Sequence, residues 1–596
     1  HGLKWLAEAS FVDSGWRASQ TMGISEHFEQ LVRVPSWVSA QGSSDYLYMG
    51  GAAAIEQAGG NWGLLRAYGA RRDDLRPLPQ NGDPRKNADA PVCPPGAEVR
   101  KYTVVATTAQ QALGGPLAFS SRANGASQAS AILYFKLEDL NCPNGQPGGG
   151  CTAKNPQNPE PLVLRANAGD CLQVTLYNAI ASGELPSSAG ASSINLPPAA
   201  QTNPPGFNFT GITCGPAPAG CLPSQISLEV GLHPQLASFN VTQGDAFNAG
   251  NNPVQTVKPG TSRSYTWYAG NIDTSVVPPR YIPIEFGVSN LLPSDVINHY
   301  QLGLFGALVI EPRGATGWRA ADGISTVVRD AQGGFLFREH VLALEDGVST
   351  STPLAIGNDH LNAFNYKTEP LANRTCSATG DFSCVLSSTA ALCCTRFSSN
   401  GKTCLKTAPC GEPQTPILSA CAGEQVRLRL VHPGGINTDH TFELFGHAWA
   451  ETPYMSTGLL GCTPPTTHTN LYASATLSDD RGCTLANLTP LAKLAKPGES
   501  NAVPLPLYGA KLDTLSEWQG FRLGHGPSNH FEVLLESAGG RNKVPGDYLY
   551  RSFPSMHFLL GPWGIFRVED ATTNPALCAP TTAAGGGAVT AGGAGR

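Results

Sequence analysis

Two distant segments of this chain repeat one strand, loop and strand pattern. The first runs from Asp45 to Tyr68 and the second from Gly546 to Asp570. Each contains Asp-Tyr-Leu-Tyr, a variable loop and then Gly-x-Trp-Gly-(Leu/Ile)-x-Arg, which predicts two strands that close a β-sandwich. A third copy is predicted between them, with Ser264–Gly270 as its aromatic strand and Gly303–Pro312 as its closing strand. The chain is therefore predicted to be a tandem array of similar β-domains.

The composition favours sandwiches rich in loops over helical bundles. Charged residues make up 14% of the chain, against about 25% in an average soluble protein, while the 596 residues include 67 glycines and 48 prolines. The net charge of −6 gives no electrostatic reason to expect a nucleic-acid partner. No apolar run reaches the roughly 20 residues that a membrane-spanning helix needs.

Sixteen cysteines, an even number, predict disulfides and therefore an oxidising location, secreted, periplasmic or on the cell surface. Short loops between Cys142 and Cys151 and between Cys214 and Cys221 are typical of local disulfides. Seven cysteines between Cys376 and Cys421 indicate a disulfide-stapled insertion whose connectivity stays open. Buried free thiols are the alternative. A zinc site is disfavoured because Cys-x-x-Cys pairs and suitably spaced histidines are absent from the sequence.

Alternating apolar residues place two further strands in the same phase. Leu172, Val174 and Leu176 alternate with polar residues after one Gly-Asp, and Val426, Leu428 and Leu430 do so after Gly-Glu. The predicted domains are 1–90, an incomplete sandwich, 97–316, a second sandwich, and 330–570, a third sandwich that contains the Cys-rich insertion 376–421. The Gly/Ala segment 571–596 is predicted to be a disordered tail.

The repeated hairpin resembles the cupredoxin repeats of multicopper oxidases, in which a Tyr-His-x-His bend precedes a Gly-rich closing strand. Here the bend is Tyr48-Met49-Gly50-Gly51 in one copy and Tyr550-Arg551-Ser552-Phe553 in the other. The resemblance covers the chain from His1 to about Asp570. Within the family, the chain is similar to large bacterial members, a group that includes manganese oxidases. The resemblance implies an all-β fold of three cupredoxin-like Greek-key β-sandwiches, the first incomplete, and copper as the cofactor.

The resemblance also assigns copper positions in the third sandwich. His440 and His557 match the two type 1 histidines, whereas Ser552 stands where the cysteine ligand is expected and Pro562 where a weak axial ligand is usual. The trinuclear positions of this sandwich are occupied by Glu443, Phe445, Arg551 and Phe553. Phenylalanine and arginine are not copper ligands, so a standard trinuclear centre is not expected here. Without a thiolate at position 552, blue-copper electron transfer is not expected either.

In the first sandwich, His1 resembles the end of a His-x-His-Gly pair, while Met49 and Gly51 replace the other pair. We expect a region that precedes His1, or a partner chain, to complete these positions. The candidate metal ligands are therefore His440, His557 and His1, with a single Cu(II) or Zn(II) between His440 and His557 and Glu443 or Met556 nearby.

The alternatives are structural histidines and an ion pair between Glu443 and Arg551 in place of copper. His233 lies two residues after the position that the resemblance assigns to a ligand, so the middle domain is expected to be metal-free. Three further histidines are interpreted as strand-end or loop residues: His299, His432 and His530.

Two functions remain open from the sequence. The first is a multicopper-oxidase-like activity, the copper-dependent oxidation of a metal ion or phenol coupled to dioxygen reduction, with its sites completed outside this chain. The second is a secreted, non-catalytic cupredoxin scaffold with a degenerate copper site, which serves binding or assembly.

Overall fold

The structure is a computed structural model that describes most of the chain between His1 and Cys578. The described residues are 1–6, 16–28, 42–51, 60–69, 91–122, 125–185, 226–273, 278–295, 297–318, 323–349, 360–376, 383–398, 403–435, 440–451, 518–553 and 555–578, with a few isolated positions between them. No helix among them is long and apolar enough to span a bilayer.

The N-terminal region contains two antiparallel strand pairs. Strands β1 (Trp5–Leu6) and β2 (Trp16–Arg17) form one pair, and β3 (Ser43–Met49) and β4 (Trp62–Tyr68) form the hairpin predicted from the first repeat. The hairpin is held across its strands by Arg66, whose Nε lies 2.6 Å from Oδ1 of the buried Asp45.

The middle sandwich consists of two four-stranded sheets. The order in the first sheet is β14 (Ser262–Tyr268), β12 (Cys171–Asn178), β5 (Val99–Thr108) and β8 (Ile132–Lys136). The order in the second is β11 (Leu162–Asn167), β18 (Gly306–Glu311), β17 (Gly287–Leu292) and β13 (His233–Pro234).

Shorter elements decorate this sandwich. Three antiparallel pairs are β6 (Leu117–Ala118) with β7 (Ser127–Gln128), β9 (Leu140–Asn141) with β10 (Thr152–Ala153), and β15 (Gly270–Asp273) with β16 (Arg280–Pro283). Helix α1 (Ala109–Leu113) follows β5; the Thr108 hydroxyl accepts from the Gln111 amide at its start, and Gly114 ends it in a left-handed conformation.

The C-terminal sandwich has a sheet of β19 (Ser325–Arg329), β20 (Phe335–Ser349), β26 (Val426–Gly434) and β33 (His530–Leu535), with β21 (His360–Phe364) also paired to β20. The opposite sheet contains β25 (Ile417–Cys421), β35 (Trp563–Glu569), β34 (Gly546–Ser552), β27 (His440–Leu444) and β32 (Phe521–His525). Helix α2 (Ser555–Leu559) follows β34. A small three-stranded sheet has the order β22 (Arg374–Thr375), β23 (Leu392–Phe397) and β24 (Cys404–Pro409). Two further strand pairs are β28 (Trp449–Ala450) with β31 (Trp518–Gln519), and β29 (Tyr454–Met455) with β30 (Lys511–Leu512).

The two sandwiches share one pattern of strand pairing. In the middle sandwich, β12 pairs in parallel with β5 and antiparallel with β14. In the C-terminal sandwich, β26 pairs in the same way with β20 and β33. In the opposite sheet of the middle sandwich, β18 pairs in parallel with β11 and antiparallel with β17. In the C-terminal sandwich, β35 pairs in the same way with β25 and β34. The all-β fold of tandem cupredoxin-like sandwiches is therefore confirmed.

One part of the repeat prediction is wrong. Ser264–Gly270 does not pair with the closing strand of the middle sandwich, because β14 lies in the opposite sheet. The partner of β18 is β17, whose sequence Gly-Val-Ser-Asn-Leu-Leu lacks the aromatic motif. Strand β17 is buried along its whole length, so it needs no alternation between apolar and polar residues.

Apolar side chains from facing sheets form the two cores. Leu172, Val174 and Leu176 of β12 are fully buried in the middle core, as their spacing predicts. In the C-terminal core, Leu428 packs with Phe442 and Tyr550. Full burial of one such side chain is worth about 1.5–3 kcal/mol, so these rows define which face of each strand points inward.

A third apolar cluster joins the two sandwiches. It combines Val288 and Val309 of the middle sandwich with Val341 and Val431 of the C-terminal one. Beside it lies a buried ion network, in which Arg429 contacts Glu311 and Glu339 at 2.8 Å each and also contacts Glu532. Arg165 Nη2 lies 2.7 Å from Glu339. Although burial alone would raise it, Arg429 and Arg165 hold the pKa of Glu339 below its usual range.

Six disulfides join the described cysteines. They are Cys93–Cys171, Cys142–Cys151, Cys376–Cys384, Cys393–Cys410, Cys394–Cys404 and Cys421–Cys578. The local loop closed by Cys142 is confirmed, and the Cys-rich insertion is stapled as predicted. The pair Cys214 and Cys221 lies outside the described residues. Cys578 attaches residues 571–578, which the sequence assigned to the tail, to the end of β25.

Candidate metal centres

The first candidate centre lies at one end of the C-terminal sandwich, where β27 begins and β34 ends. His440, the first residue of β27, is 1% exposed, and its Nδ1 lies 2.9 Å from the hydroxyl oxygen of Ser552, the last residue of β34. Helix α2 then brings His557 alongside, with its ring centroid 4.3 Å from that of His440. The structure therefore brings together the two histidines that sequence comparison placed at the type 1 positions.

Two further residues face the opposite edge of His440. Asp346 lies in β20 and His432 in β26, two strands that run parallel and therefore end at the same edge of the sheet. Oδ2 of Asp346 is 3.8 Å from Nε2 of His440 and 3.8 Å from Nε2 of His432. One ligand atom from each of the three residues lies within 4.8 Å of the others. The result is a buried group of two imidazoles and one carboxylate.

Several imidazole nitrogens at this centre make no hydrogen bond. Nε2 of His440, both nitrogens of His432 and Nδ1 of His557 are buried and have no hydrogen-bond partner among the described residues. Burial lowers the pKa of His432 to about 3 and that of His557 to about 4. His525, whose ring centroid is 5.6 Å from that of His432, has a pKa lowered by burial as well. At neutral pH the rings of His432, His557 and His525 are therefore uncharged and offer lone pairs, the form in which histidine binds metals.

The hydrogen bond to Ser552 decides which nitrogen of His440 can act as a ligand. In the tautomer that donates from Nδ1 to the serine oxygen, the lone pair of Nε2 faces Asp346. A hydrogen bond on one ring nitrogen commonly fixes the other nitrogen as the ligand in metal sites. Ser552 is thus placed to orient His440 toward the carboxylate.

The trinuclear positions of this sandwich are filled by an ion pair surrounded by aromatic rings. Nε of Arg551 lies 2.7 Å from Glu443, so the predicted ion pair is present. The Arg551 guanidinium lies 5.1 Å from the ring centroid of Phe445 and 5.2 Å from that of Phe553, and both rings are partly exposed. Glu443 is therefore engaged by arginine, and the side chain of Met556 lies outside the described residues.

A second candidate centre lies between the N-terminal segment and the middle sandwich. Nδ1 of His233, in β13, is 3.0 Å from Oδ1 of Asp245, and Nδ1 of His1 is 3.7 Å from the same oxygen. The two imidazole rings are stacked with centroids 4.0 Å apart. Although burial would raise it, the adjacent rings hold the pKa of Asp245 at about 2. His1 therefore belongs to a different cluster from His440 and His557.

Sequence reasoning missed four members of these clusters. It interpreted His432 and His233 as structural residues, and it did not single out Asp346 or Asp245. For Asp346 and His432 a signal was available, since each follows an apolar run at the end of a predicted strand, and neighbouring parallel strands end at one edge. For Asp245 there was none, because it lies in a long connection without periodicity.

The donor atoms of the first centre suit a single Cu(II) or Zn(II). They suit neither the trinuclear copper centre of multicopper oxidases nor a type 1 copper site, which needs a thiolate ligand. Imidazole and carboxylate groups are ordinary ligands for Cu(II) and Zn(II). All described cysteines are in disulfides, so no thiolate reaches His440 within the described part of the chain. The Glu443–Arg551 pair and its phenylalanines cannot bind a copper cluster.

No protein-family model matches the chain, and no curated protein is similar to it in sequence. Among solved structures, a multicopper oxidase is similar with a TM-score of 0.35 and 11% identity, over 80% of this chain and 92% of that one. A copper nitrite reductase from Nitrosomonas europaea has a TM-score of 0.35 and 13% identity over 79% and 94% of the two chains. A blue copper oxidase from the same organism has a TM-score of 0.35 and 10% identity over 80% and 87%.

Proposed function

We propose that this protein is a metal-binding, cupredoxin-like protein whose C-terminal sandwich holds one divalent transition-metal ion through Asp346, His432 and His440. The observation that carries the proposal is the convergence of a buried carboxylate and two buried imidazoles, whose facing nitrogens have no hydrogen-bond partner in the part of the chain that the structure describes. Leaving such polar atoms unpaired costs about 1–3 kcal/mol each, so a ligand that engages them is favoured.

Copper is the favoured ion on chemical grounds. For a given set of nitrogen and oxygen ligands, Cu(II) binds more tightly than the other divalent first-row metals. A bound Cu(II) would supply one-electron redox chemistry or act as a Lewis acid. The chain itself contributes the orientation of His440 by Ser552 and the exclusion of water by burial of all three ligand residues.

The six disulfides support an oxidising location for the protein, secreted, periplasmic or on the cell surface, because disulfides persist mainly in such compartments. Oxidase activity would need further copper sites outside this chain, since the trinuclear positions of the C-terminal sandwich contain the Glu443–Arg551 ion pair.

A non-catalytic scaffold is the second candidate. It is favoured by the same ion pair and by the exposed rings of Phe445 and Phe553, which are 43% and 53% exposed around the Arg551 guanidinium. Aromatic residues and arginine are enriched in protein interfaces. On this alternative, the protein would bind no stoichiometric metal at the C-terminal centre.

Metal analysis of matched variants separates the two candidates. Purified protein is equilibrated with Cu(II), and bound copper is measured by elemental mass spectrometry and by electron paramagnetic resonance. His432→Ala and Asp346→Asn should each remove one equivalent of bound copper and its nitrogen hyperfine signal. His447→Ala is the control, because both ring nitrogens of His447 are already hydrogen-bonded to the backbone. Equal copper content in wild type and His432→Ala would refute the proposal and favour the scaffold.

A further inference from the structure

We propose a second divalent-metal site, in which His1, His233 and Asp245 bind one transition-metal ion and thereby fasten the N-terminal segment to the middle sandwich. This site is independent of the C-terminal centre and shares no residue with it. Its ligand would be a divalent cation that accepts two imidazole nitrogens and one carboxylate oxygen, such as Zn(II), Co(II) or Cu(II).

The spacing of the donor atoms fits such an ion. Metal-to-ligand distances of about 2.0–2.1 Å place neighbouring donors roughly 3.0–3.5 Å apart. Here the two imidazole nitrogens lie 3.0 Å and 3.7 Å from the Asp245 oxygen, and the three ligand atoms lie within 4.8 Å of one another. Small adjustments of side-chain torsions would therefore bring all three onto one ion.

The charge of Asp245 is offset by imidazoles and not by a permanently charged side chain. Asp245 is fully buried, and its ion-pair contacts in the described part of the chain are with the ring nitrogens of His1 and His233. No lysine or arginine among the described residues forms such a contact with this carboxylate. An isolated buried carboxylate is costly, so buried charges are usually paired or bound to a metal.

The surrounding residues hold the three ligands in place. The backbone nitrogen of Asp245 donates to the buried Gln255 side chain at 2.9 Å. Phe247 lies edge-on against both imidazole rings, with centroids 4.3 Å from His1 and 5.4 Å from His233. The backbone nitrogen of His1 donates to the carbonyl oxygen of Leu47 in β3. These contacts restrict the orientation of the ligands before an ion binds, which lowers the entropic cost of binding.

The site also has an approach from solvent. A crevice is lined by His1, Lys4, Ala18, His233 and Gln235. Three protein ligands leave further coordination positions open, which water or an exogenous ligand can fill. Binding of the ion through His233 Nδ1 requires the tautomer with its proton on Nε2, so the proton would move from Nδ1 to Nε2 and the 3.1 Å contact of Nδ1 with the backbone oxygen of Asp245 would no longer be a hydrogen bond.

A hydrogen-bonded pair of histidine and aspartate without metal is the alternative, and the chain provides a matched example. Nε2 of His299 lies 4.0 Å from Asp295 and 2.8 Å from the carbonyl oxygen of Ser227. No second imidazole is in ring contact with it among the described residues. His299 is therefore the control for a buried histidine beside a carboxylate.

The test uses Co(II) as the probe and the full chain with Asp346→Asn and His432→Ala, so that the C-terminal centre cannot contribute. We expect one equivalent of Co(II), an absorption spectrum of a nitrogen and oxygen ligand set, and slower amide exchange in residues 1–6 when the ion is present. His1→Ala and Asp245→Asn should each weaken binding by at least about tenfold, whereas His299→Ala should not change it.

His1→Ala removes a side chain from the N-terminal segment and leaves both sandwich cores intact, so it keeps the test decisive if Asp245→Asn does not fold. The proposal is overturned if the double variant binds no Co(II) while its circular dichroism is native. It is also overturned if Co(II) affinity is the same in His1→Ala and in the unchanged background.

Discussion

The hydroxyl of Ser552 and Nδ1 of His440 lie 2.9 Å apart across two neighbouring strands of the C-terminal sandwich. This contact occupies the nitrogen that points away from Asp346 and leaves Nε2 toward it. A single serine thus determines the direction in which His440 can bind a metal.

Replacement of Ser552 by alanine should weaken metal binding at the C-terminal centre without abolishing it. Loss of a hydrogen bond that orients a ligand histidine costs about 10–100-fold in metal affinity. We expect Ser552→Ala to raise the dissociation constant for Cu(II) by that factor, measured by competition with a chelator. Ser537→Ala is the control, because the Ser537 hydroxyl donates to the backbone oxygen of Ala538 and not to a histidine of the centre; an unchanged constant in Ser552→Ala would contradict the assigned role.

Arg429 should dominate the stability of the junction between the two sandwiches. Arg429→Met would remove a fully buried cation and leave Glu311, Glu339 and Glu532 without it. Removing one partner from a buried ion pair costs about 3–5 kcal/mol, and we expect a loss of this size in the free energy of unfolding, measured in urea.

The control for this variant is Arg567→Met. Arg567 also contacts two carboxylates, those of Asp547 and Glu412, but all three side chains are partly exposed. Exposed pairs contribute about 0–1 kcal/mol. Equal losses in the two variants would show that burial of the Arg429 network is not what stabilises the junction.

His340 should make the protein less stable as the pH falls from about 6.5 to about 4. Burial, followed by the charge of Arg338, lowers the pKa of this buried histidine to about 4. In this range the unfolded chain binds a proton at this position and the folded chain does not, so protonation favours unfolding. The neutral His340 therefore contributes about 3 kcal/mol to the free energy of unfolding. This contribution is fully present above pH 6.5 and is lost as the pH falls to about 4.

The measurement compares the unfolding free energy of wild type and His340→Gln at several pH values. The variant should show a slope smaller by up to about 1.4 kcal/mol per pH unit between pH 6.5 and 4. Above pH 7 the two slopes should agree. Parallel curves throughout the acidic range would rule out His340 as a contributor.

Gly564 should tolerate no side chain. A Cβ atom at this position would lie 2.3 Å from the hydroxyl oxygen of Tyr550, whose ring covers the glycine and whose hydroxyl donates to the carbonyl oxygen of Pro416. Overpacking of this kind costs about 1–3 kcal/mol, and we expect that loss in thermal or urea unfolding of Gly564→Ala. Gly115→Ala, where the added carbon meets no atom within 4 Å, should be neutral or slightly stabilising.

The repeated hairpin was predictable because the residues of its motif lie directly opposite one another on the two strands and contact each other. Asp45 faces Arg66 in the first copy and Asp547 faces Arg567 in the second, each with an ion pair across the strands. Tyr48 faces Gly63 and Tyr550 faces Gly564, so each glycine lies under a tyrosine ring. The middle sandwich forms the same hairpin from β17 without these residues, which is why its aromatic strand was assigned wrongly.

The sequence by itself determined the all-β architecture, the inward faces of β12 and β26 and the proximity of His440 to His557. Each depends on residues close in sequence or on a motif whose spacing sets opposed positions. Only the tertiary structure placed Asp346 and His432 beside His440, and His1 with His233 and Asp245. Those groups come from different strands and connections, and local periodicity specifies which face a side chain occupies but not which distant strand end packs against it.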